Sequence, residues 1–381
     1  MIAISLEAKA LGITTGMRLM ECRQLCPQLI IRPSQPVKYR HFHVTIINVL
    51  KKYCNDVIPK SIDEAILNFT SYKLIYKDFI AIARQIKSDI KEQADYLKCS
   101  IGIAPNAFLA KLATDLQKPD GLVEITADNV DEHLKKLQLT DLPGIAYANE
   151  RRLKKVGICT PIEMRSASIS LLRKAFGGIV GYYWHCRLHF YEVDLYVNQT
   201  KSMGAGRTVA SNQSSSLQTL DALIISLCTR LEQRMVKQSV FCRQAIFSVG
   251  YKNRSDWKTL FNFANPLQDA IELRSYITQR INEYETSYPS SAVLSKDVFS
   301  INITVQDFIS QDVIQYNLFD NRIQQDKLRK TMYFIKTKYG KNSVRKACET
   351  IEPDVMKDAI GFGSVKELNA DTGLNNFLLE E

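Results

Sequence analysis

The sequence predicts an α+β protein that is divided into several domains. The chain has 381 residues, whereas one domain usually takes about 100–200 residues, so two to four domains are expected. Helical and strand patterns alternate over the first 125 residues and again after residue 205. Between them, residues 126–195 lose strand character and read as several short helices. Two mixed regions around a helical one indicate a multidomain α+β architecture.

The first region alternates helices and strands. Gly12 and Gly16 divide residues 7–20 into a short helix, a turn and the start of a second helix. Apolar residues at helical spacing predict amphipathic helices at 40–53 and 76–96. Three further elements follow the strand and turn signals: a strand in SIDEAILNF (61–69), a strand in CSIGIAP (99–105), and a helix from Asn106 to the turn Lys118-Pro-Asp-Gly.

The second mixed region has a regular order of elements. Residues 196–205 are polar and read as a linker. After the linker, the second mixed region is predicted to contain, in order, a strand at Gly206 to Ser211, a helix at Leu217 to Lys237, strands in FCRQAIFSVGY and WKTLFNFA, a helix at Asp269 to Tyr284, and a strand in VFSINITVQDF. This βαββαβ order predicts a compact α+β unit. Residues 311–381 are polar and basic, which predicts a tail with isolated helices.

The composition narrows the class of protein. The net charge of +10 and the pI of about 9.0 favour a polyanionic partner such as nucleic acid, although many basic proteins bind none. No stretch approaches the roughly 18–20 apolar residues of a membrane helix, and the N-terminus lacks a signal-peptide pattern, so we expect a cytoplasmic protein. Nine cysteines without framework spacing indicate reduced thiols, and no zinc-ligand spacing is recognisable.

Two adjacent acids, Asp63 and Glu64, stand inside a strand candidate whose other residues are apolar. Burying carboxylates is costly unless they have a strong partner. The ordinary interpretation is a solvated strand end or turn. The alternative is a site, because CSIGIAP is a candidate sheet neighbour and the helix after it ends near Lys118. A cation beside an acidic sheet edge suits phosphate held next to metal ions.

Several motifs resemble the Y-family (UmuC/DinB-like) translesion DNA polymerases. These are SIDEA, SIGIAPNAFLAKLATDLQKPDG and LPGI, with EAKALGITTGMRLMECRQLCP before them and KSMGAGRTVAS after them. The motifs follow the family's order from residue 1 to about 310. The resemblance implies a right-hand architecture with these parts: fingers at 1–38, palm at 39–125, a helical thumb at 126–195, the linker at 196–205, a little finger at 206–310 and the C-terminal tail at 311–381.

The resemblance implies nucleotidyl transfer from a dNTP to primer-template DNA with two Mg²⁺ ions. Asp63 and Glu64 would be the catalytic metal ligands, and successive strand residues reach one site only at a strand end or bend. Lys118 resembles the family's triphosphate-binding lysine. Lys9 stands where many members have Arg, so we expect it to contact phosphate as a point charge. Leu6 stands where several members have Tyr.

The sequence departs from the family at its N-terminus. The family's first metal-binding aspartate and its ribonucleotide-excluding aromatic residue precede the fingers, whereas this chain begins at the fingers. We expect either a truncated form of a longer polymerase or a product that binds DNA without efficient synthesis, and poor primer extension in both cases. Two functions follow: an impaired translesion polymerase, or a non-catalytic DNA- and clamp-binding accessory protein. A nucleotide-binding signalling enzyme is disfavoured by the thumb and little-finger motifs.

Further basic residues are candidates for DNA contact. LPGIAYANERRLKKVGI resembles a helix-hairpin-helix, in which backbone N–H groups bind a phosphate. Gly144 would form its turn, although Ala146 replaces the family's second glycine. Four cations follow directly: Arg151, Arg152, Lys154 and Lys155. The alternative is an ordinary helix connection. In the little finger, Lys201 and Arg207, with Arg243 and Lys252, either bind DNA or are simply solvated.

A short motif after the last predicted strand suggests a protein partner. Gln315-Tyr-Asn-Leu-Phe resembles the peptide by which bacterial polymerases dock into the sliding clamp, with Gln315, Leu318 and Phe319 at its defining positions. Exposed apolar residues in a tail are unfavourable unless they fill a pocket. The alternative is that Leu318 and Phe319 pack on the little finger. Residues 322–346 are rich in lysine and arginine, as a solvated or a DNA-contacting helix would be.

Overall fold

The computed structural model describes residues 1–94, 97–195, 200–210, 216–316, 321–340 and 343–349. Two short helices open the chain, α1 (Leu6–Ala10) and α2 (Leu19–Leu25). The Ser5 side chain caps α1 by accepting a hydrogen bond from the Ala8 amide. Cys22 is the buried residue of α2. These helices lie in the range expected to form the fingers.

The next region carries two small sheets and three helices. Its elements are α3 (Pro36–Lys51), β1 (Val57–Pro59), β2 (Ala65–Leu67), α4 (Phe79–Gln93), β3 (Ile101–Ile103), α5 (Ala107–Leu116) and β4 (Leu122–Glu124). β1 pairs with β2 in antiparallel fashion, and β3 pairs with β4 in parallel. The expected pairing of the SIDEAILNF strand with the CSIGIAP strand is therefore wrong for the described residues, since β2 and β3 belong to different sheets.

The thumb region is helical, as predicted. It contains α6 (Val130–Leu134), α7 (Tyr147–Lys154), α8 (Pro161–Ser166), α9 (Ile169–Phe176) and α10 (Ile179–Leu188). Leu153 of α7, Leu172 of α9 and Trp184 of α10 share one buried core with Leu109 and Leu112 of α5. Burial of these side chains stabilises the thumb by roughly 1.5–3 kcal/mol each. Helix α5 therefore belongs to the palm and to the thumb core at once.

The little finger has the predicted βαββαβ order. Its elements are β5 (Ser202–Thr208), α11 (Leu217–Lys237), β6 (Val240–Tyr251), β7 (Asp256–Leu267), α12 (Ala270–Ser287) and β8 (Val298–Ser310). The strands form one antiparallel sheet in the order β5-β8-β6-β7. β5 begins at Ser202, inside the expected linker, because Met203 and Ala205 alternate into the core.

The C-terminal region differs from the expected tail of isolated helices. Helix α13 (Arg322–Tyr339) packs on the little finger through charged residues. Arg329 is only 6% exposed, and its guanidinium lies 2.6 Å from Asp326 and 3.0 Å from Asp269. These contacts are ion pairs, so the spacing of apolar residues in the sequence could not have predicted that α13 packs on the domain. Within the described part of the chain, no helix is long and apolar enough to cross a bilayer.

Candidate active site and DNA-binding surface

Asp63 and Glu64 lie in the turn that joins β1 to β2. The backbone amides of Lys60 and Ser61 both donate to the Glu64 carbonyl, over 2.8 and 3.2 Å, which closes the turn. Both acidic side chains are exposed. The expectation that they occupy a buried strand is wrong, since β2 begins only at Ala65. They do lie at a strand end, which is the place from which adjacent residues can reach one site.

The turn is fixed by its buried neighbours. Ser61 is buried, and its hydroxyl donates to the Asp63 carboxylate over 2.6 Å. The ring of His43, which is buried in α3, donates to the Ile62 carbonyl over 2.8 Å. Buried polar groups that are fully paired hold a loop in one conformation. The acid pair is therefore carried by a turn that is attached to α3 rather than by a free loop.

Glu64 begins a row of alternating charges that ends at Lys118. The Lys111 ammonium lies 2.6 Å from Glu64 and 3.5 Å from Asp115. Asp115 in turn lies 2.5 Å from the Lys118 ammonium. We call these four residues the charge row. They join the acid pair to the predicted triphosphate-binding lysine along one side of α5.

Lys111 is the member of the charge row that sequence reasoning missed. Although partial burial acts to lower the pKa of Lys111, its hydrogen bond and charge contact with Glu64, followed by Asp115, raise it above the ordinary value. Lys111 is therefore a cation at neutral pH. The available signal was spacing: Lys111 precedes Asp115 by four residues on a helix, so the two share a face.

The helix that carries the charge row packs closely against β3. A Cβ atom at Gly102 of β3 would lie 2.1 Å from the Ala110 carbonyl oxygen and 2.6 Å from the Thr114 amide nitrogen. Only glycine at this position allows α5 to approach its strand. The glycine of the SIGIA motif therefore allows α5 to lie where it positions Lys111 and Asp115.

The acid pair suits Mg²⁺ that is shared with a substrate. Exposed carboxylates are hard oxygen donors, and Mg²⁺ is commonly held by one or two carboxylates together with substrate phosphates. Asp63 and Glu64 provide two such groups. Among the described residues, no cluster of three or more acidic, histidine or cysteine side chains forms a metal site. The residues present therefore fit metal bound jointly with phosphate rather than a closed protein site.

The other predicted nucleotide contact, Lys9, makes no ion pair with the charge row. Lys9 is exposed in α1 and takes part in no ion pair with the described residues. Leu6 is also exposed, at the start of the same helix. The structure brings Lys118 into the charge row, but no contact brings Lys9 to the acid pair.

The thumb presents the predicted cations around a tight turn. Gly144 has φ +92°, a left-handed conformation that glycine adopts most easily. Ala146 is the N-cap of α7, and its side chain makes no capping bond. We call Arg151, Arg152, Lys154 and Lys155 the thumb cations; all four are exposed. Lys154 is paired with Glu150 at 2.7 Å, and Tyr147, 73% exposed, lies near the Arg151 guanidinium.

The little-finger cations are not equivalent. Lys201 is exposed immediately before β5. Arg207 stands opposite Ile301 in the register of β5 and β8, and Ile301 is fully buried. Residues directly opposite each other share a face, so Arg207 projects from the helix-covered side of the sheet. The Lys252 ammonium donates to the Lys296 carbonyl, and Arg243 is exposed where the β6–β7 register shifts.

Only the first two residues of the clamp-like motif, Gln315 and Tyr316, lie within the described part of the chain. Gln315 is exposed, and the Tyr316 hydroxyl donates to Asp326 of α13 over 2.7 Å. Leu318 and Phe319 lie outside the described residues. The alternative in which these two side chains pack on the little finger stays open.

The chain is similar to a known protein family and to named relatives. Residues 1–115 match the impB/mucB/samB family, and residues 200–318 match the impB/mucB/samB family C-terminal domain. The DNA polymerase IV of Pseudoalteromonas atlantica is 31% identical over 305 residues, which covers 77% of this chain and 85% of the relative. That of Pelotomaculum thermopropionicum is 26% identical over 365 residues, covering 94% and 88%.

Solved structures share the fold. A Y-family DNA polymerase chimera superposes with a TM-score of 0.61 at 22% identity, over 80% of this chain and 86% of the other. An insertion ternary complex of Dbh DNA polymerase gives a TM-score of 0.51 at 21% identity, over 80% and 86%. Such likeness concerns the fold. With the sequence relatives it defines the class: this is a DNA-directed DNA polymerase. The chain belongs to the DinB-like Y-family, which confirms the predicted family, fold class and enzyme class.

Proposed function

We propose that this chain synthesises DNA past damaged template bases, with Asp63 and Glu64 as metal ligands and Lys118 as a triphosphate ligand. The observation that carries the proposal is the charge row, because it links the acid pair to Lys118 through direct ion pairs. Phosphoryl transfer needs mainly positioned charge. A row that ends in a carboxylate on one side and an ammonium on the other provides positions for metal and phosphate.

The residues would act as follows. When bound, Mg²⁺ would lower the pKa of the primer 3′-hydroxyl and neutralise charge on the triphosphate. The hydroxyl oxygen loses its proton to solvent water and forms a bond to the α-phosphorus, and the bond from that phosphorus to the pyrophosphate oxygen breaks. Lys118, with Lys9 from the fingers, would stabilise the charge that moves onto the pyrophosphate. Lys111 would hold Glu64 in place before substrate arrives.

We expect synthesis by this chain to be slow. The pair in the described residues supplies two carboxylates, whereas two divalent ions that face a triphosphate use more protein ligands than this. The same observation favours the second candidate function, a DNA- and clamp-binding accessory protein without catalysis. Both functions predict binding to primer-template DNA, so only an activity measurement separates them.

Primer extension with an acid-pair variant is the decisive test. The variant Asp63→Asn, Glu64→Gln keeps the size of both side chains and removes the charges. For a polymerase, single-turnover insertion of one dNTP by the original chain should exceed that of the variant by at least 100-fold, while DNA affinity changes less than threefold. Equal insertion by both proteins would contradict the role of the acids. No insertion by either, with DNA binding intact, would favour the accessory function.

We also propose that the segment around Gln315 binds the sliding clamp. The motif follows β8 after one 3₁₀ turn, Gln311–Val313. Its residue Tyr316 is hydrogen-bonded to α13, so the start of the motif is fixed to the domain. Changing Leu318 and Phe319 to Ala should lower clamp affinity at least tenfold while DNA affinity stays constant. The matched control is the pair Leu74→Ala, Ile75→Ala, which is highly exposed in the palm. Clamp binding that survives the first double change would refute the assignment.

A further inference from the structure

Helix α13 is held on the little finger in one orientation. Arg329 contacts Asp326 and Asp269, and the Tyr333 hydroxyl donates to Glu232 over 2.8 Å. Glu232 is fully buried, and Arg329 and Asp326 nearly so. Buried charge pairs tolerate little displacement, because each misplaced partner leaves an uncompensated charge. One face of α13 is thereby committed to the domain, and the opposite face is committed to solvent.

The solvent side of α13 combines cations with large apolar side chains. Leu328 is 71% exposed and Phe334 is 65% exposed. Lys327, Lys330 and Lys338 are exposed as well. We call these five residues the outer face of α13. The helix has a single acidic residue, Asp326, which is buried.

The last part of the chain has the opposite composition. Residues 350–381 include seven acidic and two basic residues, a net charge of −5, in a chain whose total is +10. The same stretch is rich in large apolar residues, among them the run Phe377-Leu-Leu. An acidic segment with apolar residues is complementary to a basic surface with exposed Leu and Phe.

We propose that residues 350–381 bind the outer face of α13 in the same chain. The carboxylates pair with the lysines, and the apolar side chains cover Leu328 and Phe334. The described chain returns to this domain just before the segment begins, because the Lys346 ammonium lies 2.6 Å from Glu232. Binding within one chain needs no second molecule, so weak contacts suffice at the high local concentration.

Chain length permits the arrangement. Helix α13 has 18 residues, which corresponds to about 27 Å of helix. A fully extended chain of 32 residues reaches at most about 110 Å. The segment can therefore reach every lysine of the outer face. When the segment is bound there, a polyanion can reach the lysines of the outer face only by displacing the segment.

Zero-length cross-linking of the full chain tests the proposal. Carbodiimide joins a lysine amine to a carboxylate only where the two are in contact. In an equal mixture of ¹⁵N-labelled and unlabelled protein at low micromolar concentration, most cross-links from residues 350–381 should end on Lys327, Lys330 or Lys338, within one isotopic species. Cross-links spread over the lysines of all domains would overturn the proposal. Cross-links that join labelled to unlabelled chains would mean that a second copy occupies the surface instead.

A pair of variants separates a bound segment from random encounters. Leu328→Ser, Phe334→Ser leaves the lysines in place and removes the apolar contact, so the yield of these cross-links should fall at least threefold. The control Leu74→Ser, Ile75→Ser changes side chains that are 94% and 69% exposed in the palm, and should leave the yield unchanged. An equal yield in the first variant and the original chain would refute binding to the outer face.

Discussion

Replacing Lys111 with Met tests whether the charge row prepares the site for substrate. Met keeps the length and packing of the lysine stem and removes its charge. In the variant, Glu64 loses its ion pair, and Asp115 keeps only the contact with Lys118. The structure therefore predicts two opposite effects, one on metal binding without nucleotide and one on catalysis.

The magnitudes follow from exposure and distance. The Lys111 and Glu64 side chains are 33% and 47% exposed, with charged atoms 2.6 Å apart. A pair this open to water contributes at most about 1 kcal/mol, so removing the competing ammonium should tighten Mg²⁺ binding to Glu64 by about fivefold or less. Catalysis should weaken by about 10-fold or more in kcat/KM, about 1.4 kcal/mol, because Glu64 is no longer held in place before substrate arrives.

Calorimetry of Mg²⁺ binding without nucleotide, together with single-nucleotide insertion, measures both effects. Lys111→Arg retains the charge and should recover most of kcat/KM. Arg280→Met removes a comparably exposed ion pair on α12 and should change neither quantity. A Lys111→Met variant whose kcat/KM stays within twofold of the original, with unchanged Mg²⁺ affinity, would show that the charge row has no part in the reaction.

Three further predictions concern the little finger and thumb. Arg329→Met should destabilise the little finger by about 3 kcal/mol, since it removes the guanidinium that pairs with the buried Asp326. Urea unfolding followed by Trp257 fluorescence in a Trp184→Phe background measures this, and a loss below 1 kcal/mol would contradict it. Although burial acts to raise it, Lys346 and then Arg329 hold the pKa of Asp269 below its ordinary value. Because this pKa is lower in the folded protein, ionised Asp269 stabilises the fold at pH values above the unfolded-state pKa of about 3.9. The contribution is lost as the pH falls through the pKa of the folded protein, so Asp269→Asn should make the free energy of unfolding less dependent on pH in that range. Changing the four thumb cations to Gln should reduce the slope of log DNA affinity against log salt by about 3.6 if each contacts one phosphate, at roughly 0.9 for each contact, and an unchanged slope would exclude them from the interface.

The elements of the fold were largely predictable because they follow local patterns. The βαββαβ order of the little finger came from alternation and helical spacing, and α11 has the predicted bounds, Leu217–Lys237. β5 shows the limit of such patterns. Its glycines at 204 and 206 look like linker residues, yet Met203 and Ala205 enter the core between them. A strand whose outward positions are glycine carries too little hydrophobic alternation to be recognised.

The candidate site was predictable in position but not in its contacts. The adjacent acids and the Lys-Pro-Asp-Gly lysine are conspicuous in the sequence, and the charge row connects them. The argument from burial was wrong, because the turn at 60–64 ends before β2 begins and leaves both acids exposed. Lys111 and the network around Arg329 were missed for one reason. Ion pairs between distant segments depend on tertiary distances, which no local pattern contains.

Helix α5 links the chemistry of the palm to the packing of the thumb. Its buried residues Leu109 and Leu112 lie in the thumb core, while Lys111 and Asp115 carry the charge row on another side. At the helix start, the Asn106 side chain donates to the Arg187 and Tyr191 carbonyls over 2.9 and 3.1 Å, which attaches α5 to the end of α10. If the thumb binds DNA through its cations, as we expect, a displacement of the thumb would act on the same helix that positions Lys111. Because close-packed interiors transmit strain, DNA at the thumb and charge at Glu64 would then be coupled through one helix, without any contact between the two ligands.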